Sequence, residues 1–272
     1  MLQNLHTHST FCDGNNTPRE MIEAALRLGF DSLGFSGHAP TEQNTYWETS
    51  LQKVQEYKSE VSALKEEYSG KISIFLGLEL DGYSAGIVDT SGLDYSIGSV
   101  HMAKRRGEWL DFDDCAEKTK RNIETLFDGE PLAFAELYYA TLAELPCAID
   151  FDIVGHFDVL TKYSEKHPDL IPTDSREYKR LALEALHTIR KKKDLFEVNT
   201  GAISRGYRTT PYPAPFLLDE MKKLDCKLVL TSDCHSAQGL DCAFEKSLEY
   251  IKAHGFDTLY YLTDAGFVGE KI

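Results

Sequence analysis

Short apolar runs alternate with amphipathic stretches along almost the whole chain, a pattern that predicts strands followed by helices. Residues 2–5 form a first short strand that feeds Leu5-His6-Thr7-His8-Ser9. After a turn-rich stretch over 11–16, Thr17 caps a helix, with Pro18 at its first position and Glu20 three residues after the cap. Met21, Ile22, Ala25, Leu26 and Leu28 give that helix one buried stripe, and Gly29 ends it. Further strands are predicted over 32–36, 72–80, 95–100, 151–155, 195–199 and 227–232, with a closing strand over 258–262. The intervening helices are predicted over 47–68, 112–145 (broken at Gly129-Glu130-Pro131), 175–192, 214–224 and 240–253. Strands alternating with helices, without a Gly/Ser-rich linker, predict one α/β domain over 1–272 built on a parallel sheet or barrel. A barrel of this kind uses roughly 250 residues.

Composition narrows the partners more than the fold. Twenty-nine basic against 44 acidic residues give a formal charge of −15, which disfavours a broad nucleic-acid surface. A small phosphorylated molecule remains compatible, because local cations or metals override the global field. The six cysteines form no CxxC pair and read as small thiols, not disulfides. No signal peptide or long apolar run is evident, so a cytoplasmic setting without membrane contact is expected.

The chemistry lies where the apolar runs stop. His6 and His8, spaced by one residue, share one face of an extended chain and can reach one ion. His38, Glu79, His101, His156, Asp233 and His235 likewise fall at or just past strand ends. In a (β/α) barrel those ends converge on one mouth, where catalysis is placed. Six histidines, two carboxylates and the nearby Asp13 exceed the needs of one ion and suit two or three divalent metals bridged by a carboxylate. Imidazole and carboxylate donors favour zinc, manganese or iron over magnesium or calcium. For the small phosphorylated molecule that the charge balance leaves open, Arg205 after the 195–199 strand is the best cation, with Arg208 its alternative and Lys162 the second candidate. His167, His187 and His254 read as structural or solvated, and Asp111, Asp113 and Asp114 as an acidic helix start and not a metal site.

The motifs HTHS at 6–9, SGHAP at 36–40, GLELD at 77–81, SVH at 99–101, GHFD at 155–158 and SDCH at 232–235 resemble, in order, those of the PHP (polymerase and histidinol phosphatase) superfamily. The FCDG turn, Tyr138-Tyr139, the GHFDVLTKY run and the closing 258–268 segment are similar to its monofunctional histidinol-phosphate phosphatases. The resemblance implies a distorted (β/α)7 barrel with a trinuclear centre. It implies that His6, His8, Glu79 and Asp233 bind a first metal, and that Glu79 bridges to a second held by His101 and His156. Asp13, His38 and His235 would hold a third, with Asp13 where many members carry His. Glu79, His101 and Asp233 would act directly in the reaction. Lys162 stands in a neighbourhood where the family often has Arg, which alters bidentate phosphate recognition. The implied activity is hydrolysis of L-histidinol phosphate in histidine biosynthesis, by attack of a metal-bridging hydroxide without a Ser or Cys nucleophile. The alternatives are another small monoester, a nucleic-acid phosphodiester, or a metal-binding module without catalysis.

Overall fold

The computed structural model describes residues 1–272. In chain order the first half holds strand β1 (Gln3–Asn4), helix α1 (Pro18–Leu28), β2 (Ser32–Phe35), α2 (Leu51–Glu67), β3 (Ser73–Asp81) and β4 (Tyr95–Ser99). Then come β5 (Met102–Arg105), β6 (Glu108–Asp111), α3 (Ala116–Leu126), α4 (Pro131–Ala148), β7 (Ile153–Val154) and α5 (Arg176–Ile189). The chain ends with β8 (Leu195–Asn199), α6 (Gly201–Ser204), α7 (Pro215–Lys223), β9 (Lys227–Thr231), α8 (Phe244–Ala253), β10 (Thr258–Thr263) and β11 (Gly266–Lys271).

Seven strands pair in parallel in the order β1-β2-β3-β4-β7-β8-β9. Past β1 and β9, a parallel bridge between Thr7 and Cys234 brings the two edges together, with His8 N–H donating to Cys234 O at 3.0 Å. The result is a nearly closed (β/α)7 barrel. Its strands are buried on both faces, as expected when helices cover a parallel sheet. The helix caps follow local chemistry: Thr17 and Glu20 close a capping box on α1, and Gly29 ends it at φ 78°.

Two apolar cores result. The large one fills the layer between barrel and helices. The small one lies inside the barrel, where Leu5, Phe75, Tyr95 and Ile97 meet Ile153, Val229 and Leu262. Tyr95 is its central bulk, and its hydroxyl donates to Leu5 O beneath the His6 turn. A Cβ at Gly34 or Gly77 would fall 2.5 or 2.6 Å from the Tyr95 ring or hydroxyl, so both positions need glycine.

The predicted closing strand forms, outside the barrel: β10 pairs antiparallel with β11, and this hairpin packs Leu262, Tyr260 and Phe267 against the interior core. Two expected helix starts change. The predicted 112–145 helix starts only at Ala116, because a hairpin of β5 and β6 carries the chain away from His101 first. The predicted 47–68 helix starts at Leu51, which leaves Tyr46 and Trp47 on a loop at the barrel mouth. No helix is long and apolar enough to cross a membrane.

Gln3 fastens the hairpin. Its side-chain amide donates to Leu262 O at 2.8 Å and accepts from Leu262 N at 2.8 Å, fully inside the protein. Gln3→Ala leaves both backbone groups unpaired, and chemical denaturation is expected to show a loss of about 2 kcal/mol.

Candidate metal centre

The strand ends that carry His, Glu and Asp meet at one end of the barrel. Glu79, near the end of β3, is 2 % exposed and sits at the middle. Its Oε1 faces His156 Nε2 at 3.0 Å and His101 Nε2 at 3.3 Å. Its Oε2 faces His38 Nδ1 at 2.9 Å, His6 Nε2 at 3.2 Å and His8 Nε2 at 3.7 Å. One carboxylate thus presents each oxygen to a different set of imidazoles, which is the disposition a bridging ligand needs.

Asp233, just past β9, lies with its Oδ1 3.1 Å from His8 Nε2 and 3.8 Å from His6 Nε2. It adopts the left-handed region at φ 45°, where Asp is better tolerated than most residues. On the outer side, Asp13 stands 3.1 Å from His235 Nε2, 3.7 Å from His8 Nδ1 and 3.8 Å from His38 Nε2. Asp13 reaches this place because its loop folds back onto the HTHS turn. Ser9 O accepts from both Cys12 N and Gly14 N at 3.0 Å, and a Cβ on Gly14 would strike Ser9 N at 2.5 Å.

All nine residues expected to ligate metal therefore come together. They fall into four overlapping groups of possible ligands: His6, His8 and Glu79; His6, His156 and Asp233; His38, Glu79 and His101; and His8, Asp13, His38 and His235. His38 lies between Glu79 and Asp13, so it borders two of these groups.

The donor set fits bound cations on physical grounds. His6 Nε2, His8 Nε2, Glu79 Oε2 and Asp13 Oδ1 are buried polar atoms with no hydrogen-bond partner. Orphaned polar atoms are costly in a protein interior, and four in one cluster point to a missing positive partner. Nitrogen and carboxylate donors without thiolates suit zinc, manganese or iron.

Electrostatics divide the imidazoles. Burial, with His235 and His38 alongside, pushes His8 down to about 3, so its ring is neutral at pH 7. Burial also opposes a charge on His101, yet Glu79 and Asp113 beside it raise its pKa to about 10. Burial works against ionised Glu79 and Asp233 as well, but His6 and His101 around Glu79, and Arg205 and His6 around Asp233, hold both well below the usual carboxylate range. In the metal-free protein some imidazoles thus carry protons that metal binding must displace. Metal affinity is accordingly expected to fall as pH is lowered from 8 to 6, measured by chelator competition.

The expected phosphate cations separate. Arg205 lines the mouth and donates to Asp233 Oδ2 and Asp233 O, each at 3.0 Å. Lys162 lines it too and donates to Asp113 Oδ2 at 3.0 Å. Arg208 does not: it stacks over Tyr212 at 4.5 Å, donates to Thr161 Oγ1 at 2.5 Å and lines a second cavity with Asp158 and Tyr178. Its guanidinium is held by those neighbours in that second cavity and is not among the residues that line the mouth. Asp113, expected only as part of a helix start, instead faces the mouth.

Glu197 was not singled out in the sequence. It lies 1 % exposed within β8. Its Oε2 is 2.9 Å from His6 Nδ1 and accepts from Thr231 Oγ1 at 2.8 Å. Its Oε1 accepts from His156 N at 2.5 Å and Asn199 Nδ2 at 2.9 Å. A carboxylate on Nδ1 holds the proton there and leaves Nε2 free for a metal. The signal was present: a charged residue between Phe196 and Val198, like Glu79 between leucines, has little structural reason to be there. Asp81 does similar work, with Oδ2 accepting from His101 N at 3.0 Å.

Comparison with known proteins follows the same lines. The sequence profile of the PHP domain matches residues 4–201. The chain belongs to the PHP domain family. That PHP match takes in His6 to His156, while Asp233 and His235 lie beyond it. A "Probable histidinol-phosphatase" from Deinococcus radiodurans is 29% identical over 271 residues, covering 94% of this chain and 95% of that one. The histidinol-phosphatase of Bacillus subtilis is 29% identical over 267 residues, covering 90% and 97%. The crystal structure of histidinol phosphate phosphatase from Lactococcus lactis, complexed with zinc, L-histidinol and phosphate, superposes with a TM-score of 0.70. It is 20% identical and 98% of each chain is covered, a likeness of PHP fold.

Glu197→Gln keeps the shape and removes the charge behind His6. Chelator competition is expected to show metal affinity reduced about 10- to 100-fold. A circular dichroism spectrum matching the parent would confirm that the barrel itself survives.

Proposed function

We propose that this chain is a metal-dependent phosphatase that hydrolyses L-histidinol phosphate to L-histidinol and inorganic phosphate, in the cytoplasm, as a step of histidine biosynthesis. The observation that carries the reading is the buried Glu79, which turns each oxygen to a separate imidazole set beside orphaned His6, His8 and Asp13 atoms. Full-length relatives named as histidinol-phosphatases, and the Lactococcus lactis protein with zinc, L-histidinol and phosphate, support the substrate.

His6, His8, Asp13, His38, Glu79, His101, His156, Asp233 and His235 would hold two or three ions of zinc, manganese or iron. Bound there, such ions supply Lewis acidity toward phosphoryl oxygens and lower the pKa of a water to near neutrality. The remaining work falls to the chain. Arg205 is the fixed cation of the mouth: with two of its nitrogens on Asp233 and His235, its position is set before substrate arrives. Lys162 supplies a second positive group for the dianion. Glu79, His101 and Asp233 would be the groups that act directly in the reaction, with Glu197 and Asp81 holding their neighbours in orientation. Trp47, edge-on to His38 at 4.7 Å, forms an apolar wall of the mouth. No Ser or Cys is required as nucleophile, and Cys12, the nearest thiol to His8, is pushed up to about 12 by burial and by Asp13. The small cavity and the charge of −15 favour a small monoester over nucleic acid or membrane.

Metal-depleted protein reloaded separately with zinc, manganese or iron tests the proposal. Phosphate should be released from L-histidinol phosphate faster than from a simple aryl phosphate, and His8→Ala should abolish release. Turnover of the aryl phosphate alone would retain a phosphatase and reject the substrate. No turnover with any metal would leave a binding module. Arg205→Ala is expected to raise KM about tenfold or more, since a charge-assisted hydrogen bond contributes about 1.5–3 kcal/mol.

A further inference from the structure

The mouth is a cavity of about 240 Å³ with few groups not already committed to the metal centre. Tyr46 and Trp47 are its only apolar walls. Asp111 and Asp114 also face it, but Lys118 bridges them, donating to Asp114 at 2.7 Å and to Asp111. What remains is one ion pair. Lys162 Nζ donates to Asp113 Oδ2 at 3.0 Å and to Asp113 O at 2.9 Å, and both side chains line the cavity while only 12 % and 19 % exposed.

The position of this pair matters for what may enter. A phosphate dianion in the mouth draws Lys162 toward itself, and that leaves Asp113 unpaired beside added negative charge. An ester whose alcohol part is uncharged has nothing to offer Asp113. An ester with an ammonium on the carbon next to the ester carbon offers both halves: its phosphate takes Lys162 and its ammonium takes Asp113. One ion pair is exchanged for two. The uncharged competitor is rejected by an unpaired, partly desolvated carboxylate, which is how specificity is obtained by penalty as well as by attraction. We propose that the Lys162–Asp113 pair is a specificity device that selects phosphate monoesters bearing an ammonium beside the ester carbon. The inference rests on the phosphatase reading and adds to it the residue that recognises the amine.

The test compares 2-aminoethyl phosphate with 2-hydroxyethyl phosphate, esters of similar size that differ in the ammonium, on zinc-loaded protein. The parent protein should prefer the aminoethyl ester at least tenfold in kcat/KM. Asp113→Asn should remove most of that preference, lowering kcat/KM for the aminoethyl ester and raising it for the hydroxyethyl ester. Asp113→Glu should restore part of the preference. A merely structural Asp113 would lower both esters together, and an unchanged ratio would overturn the proposal, as would a parent ratio near one. Should Asp113→Asn not fold, Lys162→Gln tests the same pair with opposite sign: it should weaken both esters yet widen the preference, because Asp113 is then free. If neither ester turns over, dissociation constants from calorimetry must show the same ratios, and equal affinities would overturn the proposal. L-histidinol phosphate run alongside separates the two readings. Preference for the aminoethyl ester with L-histidinol phosphate untouched rejects the substrate assigned above and keeps the pair. L-Histidinol phosphate hydrolysed by Asp113→Asn with undiminished preference over the hydroxyethyl ester keeps the substrate and rejects the pair.

Discussion

Burial of the Glu79 carboxylate among five imidazoles is the constraint on which the rest depends. An anion at 2 % exposure is costly unless positive charge stands close on every side. The protein meets that demand without placing a lysine or arginine on Glu79. It surrounds the group with rings that are neutral ligands or, without metal, proton carriers. The same arrangement that would be a liability in an empty core is what makes a cluster of cations favourable there.

The barrel serves this constraint geometrically. A strand leaves each donor at a defined height, and the parallel order brings β1, β3, β4, β7 and β9 to a common mouth. The opposite end is filled by Tyr95 and its apolar neighbours and plugged by the β10–β11 hairpin. A rigid floor therefore lies directly under the His6 turn, where Tyr95 donates to Leu5 O. Behind the ligands, Glu197 faces the His6 ring and accepts from the His156 backbone N–H, and Asp81 accepts from the His101 backbone N–H. Such supporting bonds convert flexible side chains into a preorganised set.

Charge in the mouth is arranged by a second rule. Arg205 is tied to Asp233 and His235, so it is oriented but not free, whereas Lys162 is held by a single carboxylate that also faces the cavity. Both cations line the same opening, one tied into the ligand cluster and the other paired with Asp113. The strongly acidic surface does not contradict an anionic substrate, because these local groups dominate within a few ångströms.

The periodicity of the chain determined the strand–helix alternation, and the placement of His6, His8, His38, Glu79, His101, His156, Asp233 and His235 at strand ends made one mouth rich in metal-ligand side chains legible. These are local properties: period, caps and the abrupt polar residue after an apolar run. Asp13 was legible only as a carboxylate near the His6–His8 pair, since nothing in its turn says that Gly14 folds it back onto Ser9. Four matters were decided by tertiary structure alone. The 258–262 run has a strand's composition whether it joins the barrel or plugs it, and only its pairing with β11 and with Gln3 chose the plug. Glu79 and Glu197 look alike in sequence, yet the first lies among the clustered imidazoles and the second supports His6 from behind. Arg205 and Arg208 are three residues apart with the same chemistry, and a single turn of backbone sends one to Asp233 and the other to Thr161. Asp113 and Lys162 are 49 residues apart and meet only because the β5–β6 hairpin and the turn after β7 flank the same opening. Chemistry that depends on which groups face one another across such distances is written in no local pattern, because it is a property of packing.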